Sequence, residues 1–188
     1  MTEAFGVPLA IDAKIRDGSL RECAGDNGIP VILYEAGEAL RFEEVYIRAG
    51  VKGVINVMRR IGMLPASRSR RAVAAPIVSD QTSWIRSPES GILRVFVPLG
   101  EKVVKDQVIA MVADPLGTDE TPVHAPFSGV VIGRTNLPLV YEGDALFHIA
   151  QYGRKVHHVE KQVVQFHEEH QPEPSTPATE PDGDSPIA

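Results

Sequence analysis

Between Pro88 and Ile149 the chain states one pattern twice, at an offset of 38 residues from Gly91 to Gly129. The first half reads PESGILRVFVPLGEKVVKDQVIAMV and the second PFSGVVIGRTNLPLVYEGDALFHI. Each opens on a Pro, Ser, Gly turn, continues in an alternating or unbroken β run, reaches a Gly beside an acid and ends in a further apolar strand. One such half has an apolar face too small to bury alone. Two halves stacked about a pseudo-twofold axis bury it, so the repeat predicts an all-β barrel of sandwiched strands over residues 67–150.

The pattern ahead of it is different. Gly6 to Ile11 and Pro30 to Tyr34, the latter reading PVILY, are short apolar runs of the kind that form buried strands. Between them Arg16 to Asp26 suggests a helix capped by Ser19 and ended near Gly28, which makes a strand, helix, strand unit. From Glu38 to about Met63, Leu40, Val45, Val51, Val54, Val57, Met58 and Ile61 recur at helical spacing, with a break possible at Gly50 and an end at Pro65. Residues 1–66 therefore predict part of an α/β domain. After the β region, Val156, Val159, Val163, Val164 and Phe166 fit a strand or a helix, and Gln171 to Ala188 is rich in Pro, Glu, Ser and Thr. Residues 151–188 are expected to be a polar, acid-rich tail, largely disordered.

Charge narrows the partners. The net charge is −6, and Glu168, Glu169, Glu173, Glu180, Asp182 and Asp184 follow Lys161 with no Lys or Arg among them. Without those six, 19 acids face 19 bases, which argues against nucleic acid, whose phosphates demand clustered positive charge. Arg68, Arg70 and Arg71 are the one basic cluster and read as a solvated connector. No stretch approaches the ~20 apolar residues of a membrane span, and Met1 to Ala10 lacks the start of a signal peptide, so the cytoplasm is the expected compartment and no membrane partner is expected. Cys23, the single cysteine, has no second thiol with which to pair or bind metal.

Glu35 follows the apolar PVILY run directly. A carboxylate there is costly to desolvate, so it has a partner, a solvent-facing position or a site, and strand ends in α/β sheets are where sites gather. A Glu that simply emerges into solvent fits the pattern equally.

The succession RDGSLR (Arg16 to Arg21), GIPVILYEAGEALRF (Gly28 to Phe42), GVINVMRRIGML (Gly53 to Leu64), AP, SG and GDALFHIA resembles the succinylglutamate desuccinylase and aspartoacylase family, in order, over about Ala4 to Ala150. The resemblance implies a fold class: the carboxy-terminal fragment of a carboxypeptidase-like α/β domain, followed by the all-β barrel-sandwich domain. It implies a zinc-dependent hydrolase that cleaves the amide bond of a small N-acyl amino acid. In that family zinc is held by a His, two residues, then Glu, plus a later His, all upstream of a strand that ends in a catalytic Glu, and Glu35 matches that last position. Zinc lowers the pKa of bound water toward ~7, and a nearby carboxylate takes its proton and passes it to the leaving amine. Gly37 would let the chain turn away from the substrate, or simply serve as a turn residue.

The zinc half of the pattern is missing. The first histidine is His124, so no ligand precedes Glu35, and this chain is expected to hold no zinc and to have no activity alone. His157, His158, Val159 and Glu160, followed by His167 and His170, carry ligand-like spacing but lie after the β region, in the wrong order. His124 and His148 sit among β residues and read as structural. Arg16 and Arg21 lie near Glu35 in sequence, yet neither matches a family arginine that would clamp a substrate carboxylate.

The β region also resembles biotinyl and lipoyl carrier domains, whose modified lysine stands on a tight hairpin between the halves. That place reads ADPLGTDETP and has no lysine; Lys102 and Lys105 fall within the first half. The likeness therefore implies shared architecture alone. A non-enzymatic binding protein is the alternative to the hydrolase fragment, and an exposed sheet edge would make a homo-oligomer possible.

Overall fold

The computed structural model describes residues 1–67, 75–152 and 156–172, with backbone alone for 156–158. The repeat read from the sequence organises two four-stranded antiparallel sheets. Their strands are β3 (Gln81–Arg86), β4 (Gly91–Val95), β5 (Lys102–Val103), β6 (Val108–Ala113), β7 (Glu120–His124), β8 (Gly129–Arg134), β9 (Leu139–Val140) and β10 (Ala145–Gln151). One sheet runs β3-β10-β8-β5 and the other β7-β6-β4-β9. The two halves exchange strands: β5 of the first pairs with β8 of the second, and β9 of the second pairs with β4 of the first. Neither half can close its sheet without the other. Val103, Ile109, Val112, Val131, Leu146, Phe147 and Ile149 are fully buried in the shared core. Burying each such side chain is worth about 1.5–3 kcal/mol.

The hairpin between β6 and β7 is closed by its own carboxylate. Asp114 accepts from Thr118 N at 2.6 Å, from Thr118 Oγ1 at 2.9 Å and from Asp119 N at 3.2 Å. These bonds, the one from the Asp119 backbone foremost, hold its carboxyl below the usual carboxylate range.

The amino-terminal part contains α1 (Thr2–Phe5), β1 (Leu9–Ile11), α2 (Leu20–Asp26), α3 (Glu44–Arg60) and β2 (Ile77–Ser79). β1 and β2 pair in parallel, Leu9 opposite Ile77. Ser79 is buried, and its Oγ lies 2.6 Å from Gln151 O, which fastens this small sheet to β10. Helix α2 begins and ends as its sequence predicts: Ser19 Oγ accepts from Glu22 N at 3.1 Å, and Gly28 follows with φ 69°.

Two expectations fail here. Pro30 to Tyr34 is not a buried strand: the segment has no strand pairing, and Val31 and Leu33 are exposed. An extended run becomes a strand only when a neighbour takes its N–H and C=O groups, and among the described residues none is offered. The long helix is shorter than Glu38 to Met63, because Leu40 takes a left-handed φ of 64° and Gly62 one of 81°. It also runs through Gly50 unbroken. Gly50 and Gly53 serve close approach instead: a Cβ on Gly53 would stand 2.5 Å from the Phe5 ring, and one on Gly50 3.1 Å from Tyr34 Cε1.

Part of the expected tail is ordered. Helix α4 (Val156–His170) packs against α3 and β8. Val159, Val163, Phe166 and His170 recur at four- and three-residue steps, and Val159 is fully buried beside Ile77, Val130, Ala150 and Tyr152. The polar residues around that stripe hid it. The remainder of the tail beyond 172, and the cluster of Arg68, Arg70 and Arg71, lie outside the described residues.

Candidate functional site

Glu35 projects from a segment pinned by its neighbour. Tyr34 donates its hydroxyl to Tyr46 O at 3.0 Å, and its ring lies 5.0 Å from that of Phe5 and against Gly50. Alternation along the extended chain then sends Glu35 outward, where it is exposed. Burial, then the facing tyrosine or Glu43, raises the pKa of both Tyr34 and Tyr46, so both stay neutral phenols. Gly37, with φ 80°, turns the chain back, and Glu43 Oε2 accepts the Glu38 N–H at 2.6 Å to close that turn. The turn role of Gly37 is thus met by the backbone itself.

Glu35 makes no hydrogen bond or ion pair with any described residue. The group its charge acts upon is His148, on β10 of the antiparallel part. His148 is half-buried; desolvation lowers its pKa from the usual value and the Glu35 carboxylate opposes that. Its ring stacks on Trp84 of β3, centroids 4.5 Å apart and planes 12° from parallel. Register explains the pairing: His148 stands opposite Trp84 on one side and opposite Gly133 of β8 on the other. A Cβ on Gly133 would come within 3.3 Å of His148 Cβ and 3.7 Å of Trp84 Cη2. Sequence reasoning left His148 without a role, since the strand pairing that brings it to Trp84 and Glu35 spans more than 60 residues; the lone Trp in an alternating strand was the one available signal.

The other sequence-level candidates stay apart from Glu35. His124 is exposed at the end of β7, and Arg16 and Cys23 are exposed near or on α2. His167 stands edge-on to Tyr46, ring centroids 5.8 Å apart. His170 is buried, with Nδ1 2.8 Å from Phe166 O. The side chains of His157 and His158 lie outside the described residues. Among the described residues no three His, Cys, Asp or Glu side chains gather as a metal cluster requires, so these residues do not by themselves fit a zinc ion.

Beside Glu35 the surface is unusually apolar. Ile47, Val51, Val54 and Ile61 form an exposed stripe on α3, and Ile29, Val31 and Leu33 are exposed on the extended segment. Phe42 is 93% exposed. No described helix is long and apolar enough to cross a membrane.

No protein-family model matches the chain, and no curated protein sequence does. Solved structures do match. The apo form of the ectoine utilization protein EutE (DoeB) from Ruegeria pomeroyi aligns with 79% of this chain and 48% of its own, at 20% identity and a TM-score of 0.71. A succinylglutamate desuccinylase/aspartoacylase from Rhodobacter sphaeroides aligns with 80% of this chain and 48% of its own, at 19% identity and a TM-score of 0.69. A succinylglutamate desuccinylase from Silicibacter sp. TM1040 gives 80%, 47%, 23% identity and 0.67. The structural neighbours are thus succinylglutamate desuccinylase/aspartoacylase proteins, and the likeness at these identities is one of fold. The chain spans about half the length of the structures it matches.

Proposed function

We propose that this chain is one part of a zinc-dependent hydrolase that cleaves the amide bond of a small N-acyl amino acid, and that Glu35 is its proton-transferring carboxylate. The observation that carries the reading is Glu35 itself: an exposed carboxylate without a protein partner, at the meeting of the two parts of a fold shared with desuccinylases and aspartoacylases. On this reading 1–66 belongs to a carboxypeptidase-like α/β domain and the two antiparallel sheets are a barrel-sandwich domain.

The chemistry assigned to this chain is proton transfer alone. A carboxylate that accepts a proton from the attacking water and returns it to the departing amine is regenerated in each turnover. Zinc is to be held by residues other than those described, and no step is assigned to it here. The exposed stripe on α3 and the unpaired run before Glu35 are the surfaces against which the rest of such a fold would pack; isolated soluble domains rarely leave so much contiguous apolar surface open.

The same apolar face favours a second reading, a non-enzymatic interaction protein. The two separate in one experiment. The chain is produced alone and together with the polypeptide encoded immediately upstream, which the hydrolase reading expects to contain a His, two residues, then Glu. The chain alone should neither bind zinc stoichiometrically nor hydrolyse N-acyl amino acids, and the pair should do both. A stable pair without zinc or turnover supports the interaction protein instead.

A further inference from the structure

We propose that His148 shares one site with Glu35, as the residue that the β sheets contribute to it, and that Trp84 is the plate that fixes its imidazole. The proposal rests on the hydrolase reading for the identity of the ligand, a small N-acyl amino acid, and on geometry for the composition of the site.

The geometry has three parts. First, an imidazole stacked within 12° of parallel on an indole has one ring plane available to it, so its two nitrogens point in set directions. Second, Gly133 on the opposite strand leaves the other flank of His148 open; any side chain there would press on His148 Cβ and reach Trp84. Third, neither the His148 ring nor the Glu35 carboxylate makes a hydrogen bond or ion pair with a described residue. A half-buried ring that is oriented on both sides yet has unused nitrogens is suited to bind something that arrives. The charge acting on it is that of Glu35, since its cross-strand neighbours Trp84 and Gly133 carry none. Positioned so, a neutral imidazole offers one N–H to an oxygen of the substrate while Glu35 handles the proton.

Trp84 is the single tryptophan of the chain, which makes the site readable without catalysis. A stacked imidazolium quenches indole emission more than a neutral imidazole, so the pH titration of the intrinsic fluorescence reports His148. In the full chain the titration should vanish in His148→Gln, and its midpoint should move to lower pH in Glu35→Gln, because the carboxylate favours the imidazolium. Circular dichroism shows that each variant is folded. An unmoved midpoint in Glu35→Gln overturns the shared site. In the pair described above, His148→Phe should raise KM for N-succinyl-L-glutamate about tenfold with kcat nearly unchanged, and His148→Gln, which restores an N–H, should recover much of that loss. Unchanged KM in His148→Phe also overturns the proposal. A midpoint that moves in a pair without turnover supports the shared site and counts against the hydrolase reading alone.

Discussion

Gly91 and Gly129 hold the same place in the two halves of the antiparallel part: a Cβ on Gly91 would collide with the carbonyl oxygen of Ala113, and a Cβ on Gly129 with that of Ala150. Their second contacts also correspond, Val112 Cγ1 for the one and Ile149 Cγ2 for the other. In each half a strand passes so close to the turn that opens it that only hydrogen fits. Gly91→Ala and Gly129→Ala should therefore each destabilise the protein by about 2 kcal/mol or more, since the obstacle is backbone and cannot rotate away. Urea denaturation measures this; a change within ~0.5 kcal/mol, the range of ordinary surface substitutions, would deny the equivalence.

Gly53 and Gly50 are expected to behave differently although they share a helix. Ala gains about 1 kcal/mol over Gly in a helix interior. At Gly50 that gain meets only a 3.1 Å approach to the edge of Tyr34, a ring that can give slightly, and Gly50→Ala should be near neutral. At Gly53 the new methyl would stand 2.5 Å from the buried Phe5 ring, so Gly53→Ala should cost about 1–3 kcal/mol and loosen α1 from α3. Thermal melts of both variants decide it, and equal effects would refute the packing described.

The two glycines also show what the sequence could and could not convey. The repeat of 62 residues was legible because each half carries its own turn, β run and acid-flanked glycine, and α2 was legible because Ser19 and Gly28 act locally. Gly50 read as a possible break because a glycine in a periodic run looks alike whether the helix stops or a tyrosine leans on it. PVILY read as a buried strand because its composition is that of one; pairing depends on a neighbour that lies outside the segment. Helix α4 was obscured by polar residues between Val159 and His170. In the site, Glu35 stood out by its place after an apolar run, whereas His148 depended on the register of β10 against β3 and β8.

Tyr152 gives a pH dependence. Its hydroxyl is buried without a hydrogen-bond partner among the described residues, and burial pushes its pKa from the usual 10 to about 12. Above pH 10 the unfolded chain releases this proton while the folded one keeps it, so the stability present below 10 falls as pH rises toward 12. Tyr152→Phe should lose that alkaline slope and be more stable by about 1 kcal/mol at neutral pH, since an unpaired buried polar group is removed. Urea midpoints between pH 8 and 11.5 measure both; a slope retained in Tyr152→Phe would assign it to other groups, Tyr34 and Tyr46 foremost.

The role of Glu35 is tested most directly by Glu35→Gln in the chain paired with its upstream polypeptide, with turnover of an N-acyl amino acid and bound zinc measured on the same preparation. Removal of a general acid and base typically costs about 10²–10⁴ in rate. The expected result is a kcat at least ~100-fold lower with zinc content unchanged. Turnover retained in Glu35→Gln would contradict the account.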